Sequence, residues 1–217
     1  MSVINGTYIP LSNLVFMADP RNSKCYSGAG AAATNQIDNL GLTVSSITYS
    51  GGVWFNNAAG VVQSNSAYSY SLSSGFTVIQ WLNLTSRVGG TFSYTSGLNE
   101  INFYMGGANQ MRWRTYGSGG DVNSNTTMPL SSWFMVAGSF SGTGSAGGSG
   151  TSRIYYNGIL DNYNTVAGTA SNSANMQIGL HSGAMQGSIG PTMFYTRQLS
   201  DNEIRQTFNA FKTSFGL

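Results

Sequence analysis

Charge is what this chain has least of. Nine Lys and Arg, seven Asp and Glu and one His stand among 217 residues, so charged side chains make up 7%, against about 25% in an average soluble domain. The formal net charge is +2, and the basic residues are scattered from Arg21 to Lys212, with only Arg112 and Arg114 close together. A nucleic-acid partner requires clustered cations that displace counterions, so that class is excluded. A single cysteine, Cys25, rules out an intrachain disulfide and reads as a partly buried small residue in a loop. One Cys and one His are too few for a structural zinc site. No apolar run approaches the roughly 18 residues of a membrane span. The opening MSVINGTYIP has no basic segment leading into an apolar one, so neither a membrane partner nor a signal peptide is expected.

The surface must instead be covered by Ser, Thr, Asn, Gln and Gly. Neutral polar groups bury against neighbours without stranding charges, which suits a part of an assembly or a reader of neutral polymers better than a cytosolic enzyme. Such a surface, with no export signal and no disulfide, fits a protein folded in a bacterial cytoplasm and released by lysis.

What is present in quantity is β-forming sequence. Hydrophobic residues make up 41% and aromatics 12%, enough for the core of one larger all-β domain. Short runs rich in β-branched and aromatic residues occupy positions 14–18, 52–55, 68–72, 76–84, 91–94, 100–105, 110–116, 133–140, 153–156, 176–180 and 188–195, with Gly, Asn and Ser between them. This spacing predicts a sandwich or jelly roll. In 100–105, Ile101, Phe103 and Met105 face one side and Asn102 and Tyr104 the other. The runs 76–84 and 133–140 are apolar on both faces, which predicts central strands with Trp81 and Trp133 in the core.

Between 133–140 and 153–156 lies a Gly/Ser-rich stretch. Its residues 142–147, GTGSAG, match a dinucleotide fingerprint that carries meaning only where a helix follows. Here a strand follows, then Asn157-Gly158, a type I′ turn signal. The stretch is therefore a long hairpin loop, and a candidate contact with a neighbour. One helix is predicted over 200–213. Ser200 and Glu203 form a capping box, Ile204, Phe208 and Phe211 make one apolar stripe, and Gly216 can terminate it. Matches to N-x-S/T at Asn5, Asn83 and Asn125 are by-products of composition.

The order of these segments resembles a known family. FTVIQWLNL, WFMVAGSF followed after a variable loop by RIYYNGIL, and the ending from MQIGLHSG to FKTSFG are similar to the motifs of laminin G-like, concanavalin A-like jelly rolls. The early LVFMADPRNSKCYSG resembles the opening of variants found in tailed-bacteriophage structural proteins. The resemblance implies an all-β jelly-roll β-sandwich with one short C-terminal α-helix. A single domain would cover residues 1–217, with 1–13 as an extended N-terminal arm. Relatives often carry Asp-Gly where this chain has Phe55-Asn56-Asn57, so a carboxylate that would hold Ca²⁺ is missing and no metal or cofactor is expected.

Glycosidases of this fold usually cluster carboxylates as E-x-D-x-x-E, which this chain lacks. Glu203 is accounted for by capping, and Glu100 has no acidic partner in its strand. Asp19, Asp38, Asp121 and Asp161 neighbour Pro, Asn or Gly and read as turn or loop residues. A Ser-His-Asp hydrolase would have to use His181, a loop residue, and no G-x-S-x-G is present. No catalytic residues are assigned. Arg112, Arg114 and Tyr116 share one face of run 110–116, and with Tyr104 they form the candidate interaction surface. The competing reading is a solvated strand face over a core Trp113.

The expected function is a non-enzymatic virion structural protein of a tailed bacteriophage. It would be a capsid decoration or cement protein, or a head or tail appendage, located in the virion with other virion proteins as partners. Homo-oligomers are expected, trimers among the forms considered. The alternative is a carbohydrate-binding adhesion module that recognises neutral host-surface glycans.

Overall fold

The two runs expected to be apolar on both faces prove to lie in the middle of a three-layer arrangement. The computed structural model describes residues 3–4, 7–72, 74–96, 99–116, 119–142, 148–168 and 171–217. Strands β1 (Val3–Ile4), β2 (Thr7–Tyr8), β3 (Leu14–Ala18), β4 (Ala32–Thr34), β5 (Gly41–Ser50), β6 (Val53–Ser64), β7 (Tyr68–Ser71), β8 (Phe76–Ser86) and β9 (Gly90–Ser96) come first. They are followed by β10 (Asn99–Met105), β11 (Gln110–Arg114), β12 (Asp121–Thr127), β13 (Trp133–Ser141), β14 (Ser149–Tyr156), β15 (Ile159–Ala167), β16 (Ser171–Ala174), β17 (Met176–Ile178) and β18 (Gln186–Tyr195). Helix α1 (Asp201–Phe211) closes the chain with a 3-10 turn, Lys212–Phe215.

Antiparallel hydrogen bonding runs continuously through 14 strands, but β6 belongs to two faces. Its residues 54–57 pair with β18, and Val62 and Gln63 pair with β17. The path therefore folds into a first sheet, β6–β18–β8–β13–β14–β15 with β3 also on β18, and a second, β12–β11–β10–β9–β17–β6–β5–β4. The bend has a local cause. Asn56 accepts from Gly60 N and donates to the carbonyls of Gly60 and Gly179, and a Cβ at Gly60 would collide with Ser46 O. This clamp needs both donor and acceptor, so an amide fits where a carboxylate would fail.

Between the sheets lies a core that includes Trp54, Phe76, Phe92, Phe103, Trp113 and Phe134. A second core covers the other face of the first sheet, where Ile79, Trp81, Met135 and Tyr195 meet Ile204 and Phe211 from α1. Strand β8 supplies Val78 and Leu82 to one core and Ile79 and Trp81 to the other, which is why its sequence is apolar throughout. The turn at the end of β14 is as expected, with Asn157 at φ 49° and Gly158 at φ 80°. The capping box is present in both halves.

Several expectations are corrected. Of the segment expected as an arm, the described residues are seated on the domain: β1 pairs with β2, Ile9 is buried in the second core, and Gln206 and Tyr195 donate to the carbonyls of Tyr8 and Pro10. The apolar Ile9 gives the segment a reason to dock. Trp133 is only partly buried, against the edge of the second core. Cys25 is fully buried, and desolvation pushes its thiol up to about 11. The predicted helix 200–213 divides into α1 and the 3-10 turn, with Gly216 at φ 74°. Within the Gly/Ser-rich loop, residues 143–147 lie outside the described residues.

Asp121 and Asp161 stand in strands, not loops. Asp161 joins the two sheets at their far edge by accepting from Asn125 and Thr126. On edge strand β15, the N–H groups of Tyr163 and Thr165 are taken by the side-chain oxygens of Asn162 and Asn164.

Candidate ligand-binding face

Helix α1 packs on the first sheet, and among the described residues no α-helix covers the outer face of the second. Its strands place side chains in register. Asp121 is paired with Arg114, Arg114 with Asn102, Asn102 with Ser93, Ser93 with Gln177, Gln177 with Gln63, and Gln63 with Thr43. Paired residues of adjacent strands point to the same side, so a polar row crosses from β12 to β5.

One end of the row is ionic. Arg114 donates from Nε and Nη2 to both oxygens of Asp121 at 2.7 and 3.0 Å, and from Nη1 to Glu100 at 3.0 Å. Arg112 donates to Asn123 Oδ1 at 2.9 Å, and to the Tyr104 hydroxyl and Asp121 at 3.2 and 3.3 Å. Both guanidiniums lie over the Tyr104 ring, 5.3 and 5.0 Å from its centroid. Hydrogen bonding to Asp121 raises the pKa of Arg114 above its ordinary value, and burial raises that of Tyr104. His181 completes the cluster, its ring 5.5 Å from that of Tyr104. It occupies the space that a Cβ on Gly90, the cross-strand partner of Tyr104, would need. Burial lowers the His181 pKa, with the Arg114 charge acting in the same direction against Glu100.

The other end is neutral. Gln177 donates to Gln63 at 2.8 Å and Thr43 to Asn65 at 2.7 Å. Thr43, Ser45, Val61, Gln63, Ser64 and Asn65 line an open hollow of about 400 Å³. At the middle, Asn102 accepts from Thr95 at 2.8 Å and is 0% exposed.

Three of the four residues singled out from the sequence, Tyr104, Arg112 and Arg114, come together. Tyr116 does not join their strand, because β11 ends at Arg114 and Tyr116 sits in the bend beyond it. The Tyr104 ring is already engaged by two arginines and a histidine. Sequence reasoning missed Glu100, Asp121, Asn123 and His181 as members, together with the neutral half. The missing signal was DVNSNTT, whose buried Val122 and Ser124 alternate with exposed neighbours. Read as an edge strand, it would have placed Asp121 opposite Arg114. Among the described residues, no group of three or more His, Cys, Asp or Glu could hold a metal ion.

Residues 55–205 match the family described as the concanavalin A-like lectin/glucanases superfamily. No curated protein matches. Domain 4 of AbnA, a GH43 extracellular arabinanase from Geobacillus stearothermophilus solved in complex with arabinotriose, is similar at 16% identity and TM-score 0.63, over 89% of this chain and 97% of that one. Trypanosoma rangeli sialidase is similar at 15% identity and TM-score 0.65, over 92% of this chain and 33% of that one. The binding domain of Paraclostridial Mosquitocidal Protein 1 is similar at 13% identity and TM-score 0.66, over 92% of this chain and 52% of that one. At these identities the likeness is one of fold.

Proposed function

Since the chain belongs to the concanavalin A-like lectin/glucanases superfamily, we propose that it is a non-catalytic, lectin-like module that binds neutral glycans on the outer face of its second sheet. The observation that carries this reading is the polar row from Asp121 to Thr43. Its amides and hydroxyls match the donors and acceptors of sugar hydroxyls. The ionic end balances two arginines against Glu100 and Asp121, so the face presents no net charge to attract an anion. Domain 4 of AbnA, solved with arabinotriose, lends support by analogy of fold. The non-catalytic part rests on the glutamates: Glu203 caps α1 and Glu100 is held by Arg114.

A thermal-shift and calorimetric screen against neutral oligosaccharides tests the proposal. A saturable rise in Tm is expected, diminished in Gln63→Ala and Gln177→Ala. Absence of any response from the folded wild type across the screen overturns it.

A second reading places the module on a bacteriophage particle, docked to other virion proteins. What favours it is the low charge together with Ile159 and Tyr163, 68% and 64% exposed on edge strand β15. Fractionation of purified particles tests this: co-migration through a salt wash is expected, and absence from particles discards it.

A further inference from the structure

At the centre of the open face is a donor without an acceptor. Asn102 Oδ1 accepts from Thr95, while its Nδ2 is buried and has no hydrogen-bond partner. Turning the amide over would strand the oxygen instead. A buried amide half left unpaired is costly, and on a sheet face it calls for a group that completes it.

Arg114 is the side chain placed to cover it. Arg114 is the cross-strand partner of Asn102. Its Nη1 reaches Glu100, two residues before Asn102, and its guanidinium lies over Tyr104, two residues after. Residues 100, 102 and 104 share one side of β10, so the arginine lies across the asparagine. Its other two bonds go to Asp121, on the far side. The Arg114–Glu100 bond is therefore the closing contact of the roof.

We propose that Asn102 is the floor of a sugar subsite that opens when the Arg114–Glu100 bond gives way. The proposal rests on the glycan-binding reading above. In the open form, the Arg114–Asp121 pair swings as a unit toward β12, Asn102 Nδ2 donates to a ligand oxygen, and the released Glu100 carboxylate accepts from ligand hydroxyls. This chemistry selects an uncharged polyhydroxylated ligand, because an acidic sugar would meet the Glu100 charge. Ser93, Gln177, Gln63 and Thr43 continue in line toward the neutral hollow, about 19 Å away at the usual strand spacing. The ligand class is thus a neutral oligosaccharide lying across the strands, rather than a single sugar.

Titration calorimetry on the full chain tests this, with arabinose, xylose and glucose oligomers from the monosaccharide upward as probes. Affinity should rise with chain length. Asn102→Leu should weaken binding by about tenfold, the worth of one well-made hydrogen bond, while its Tm stays close to that of wild type, because removal of the stranded Nδ2 offsets loss of the bond from Thr95. Asn102→Ala replaces it if leucine does not fit. Wild-type binding that both variants leave unchanged, while Gln63→Ala reduces it, overturns the subsite and leaves the glycan reading standing. Loss of affinity only in step with loss of Tm assigns Asn102 a structural role and overturns the subsite as well. No binding of any probe by the folded wild type overturns both.

Discussion

Trp81 and Phe215 stack with their ring centroids 4.6 Å apart and their planes 16° from parallel, and Phe208 stacks on the same indole at 5.6 Å and 6°. One side chain on the outer face of β8 thus fastens the chain terminus to the sheet. Trp81→Ala should cost about 3–5 kcal/mol in urea melts. Trp133 also meets Phe215, at 4.5 Å, but is only partly buried, so Trp133→Ala should cost clearly less. Equal losses for the two would refute this ranking.

Ser200 begins α1, and its hydroxyl accepts from Glu203 N. Ser200→Ala should destabilise the protein by about 1 kcal/mol, while Ser200→Asp, which keeps an acceptor, should recover most of it. An unchanged melt in the alanine variant would show that the cap contributes nothing.

Acid should reveal the Arg197–Glu203 pair, whose bonds measure 2.6 and 2.9 Å. Arg197, with help from Ser200, lowers the Glu203 carboxyl from 4.5 to about 2. A depressed pKa gives stability that is fully present above the unfolded value and lost as pH falls through the folded one. The stability difference between wild type and Glu203→Gln should therefore be flat above pH 4.5 and shrink toward about 2. A difference independent of pH in that window would contradict the assignment.

Gly158 sits at φ 80°, and a Cβ there would lie 2.9 Å from Phe208 Cβ. Gly158→Ala therefore combines backbone strain with a push on α1, and should cost more than about 1 kcal/mol by urea melt. If only the left-handed conformation mattered, Gly158→Asn, a residue tolerant of positive φ, would match wild type; the clash with Phe208 predicts that it will not.

Salt separates a neutral ligand from a charged one. With Arg112 and Arg114 already paired to Asp121 and Glu100, glycan affinity should change little as ionic strength rises through the screening range. A steep loss with added salt would mean that the ligand is anionic.

The fold was legible where apolar periodicity was strong. Residues 76–84 and 133–140 fall in central strands, and the S-D-N-E cap fixed the helix start. Strands β5 and β12 were not recognised, because their exposed sides are Ser, Thr and Asn, residues that also make loops; β15 was missed because only Val166 on it is buried and its apolar Ile159, Leu160 and Tyr163 are exposed, so no core face shows in the sequence. That gap hid the site. Arg112, Arg114 and Tyr104 stood out by type, but Asp121 was assigned to a loop. Asn102, Ser93, Gln177 and Gln63 are ordinary polar residues whose alignment exists only through the register of distant strands.

The asparagines of β15 have a consequence for crowding. With a net charge of +2, two copies approach with almost no mutual repulsion, and an open strand edge would ordinarily turn such an encounter into a lasting graft. Asn162 and Asn164 have already filled the N–H groups of Tyr163 and Thr165, so an incoming strand finds those docking points taken. Protection at these two groups comes from short-range saturation instead of long-range electrostatics, and it should persist in brine as well as in dilute buffer. Copies of this domain arrayed at high density would not graft strand to strand through those N–H groups, even without a charged coat.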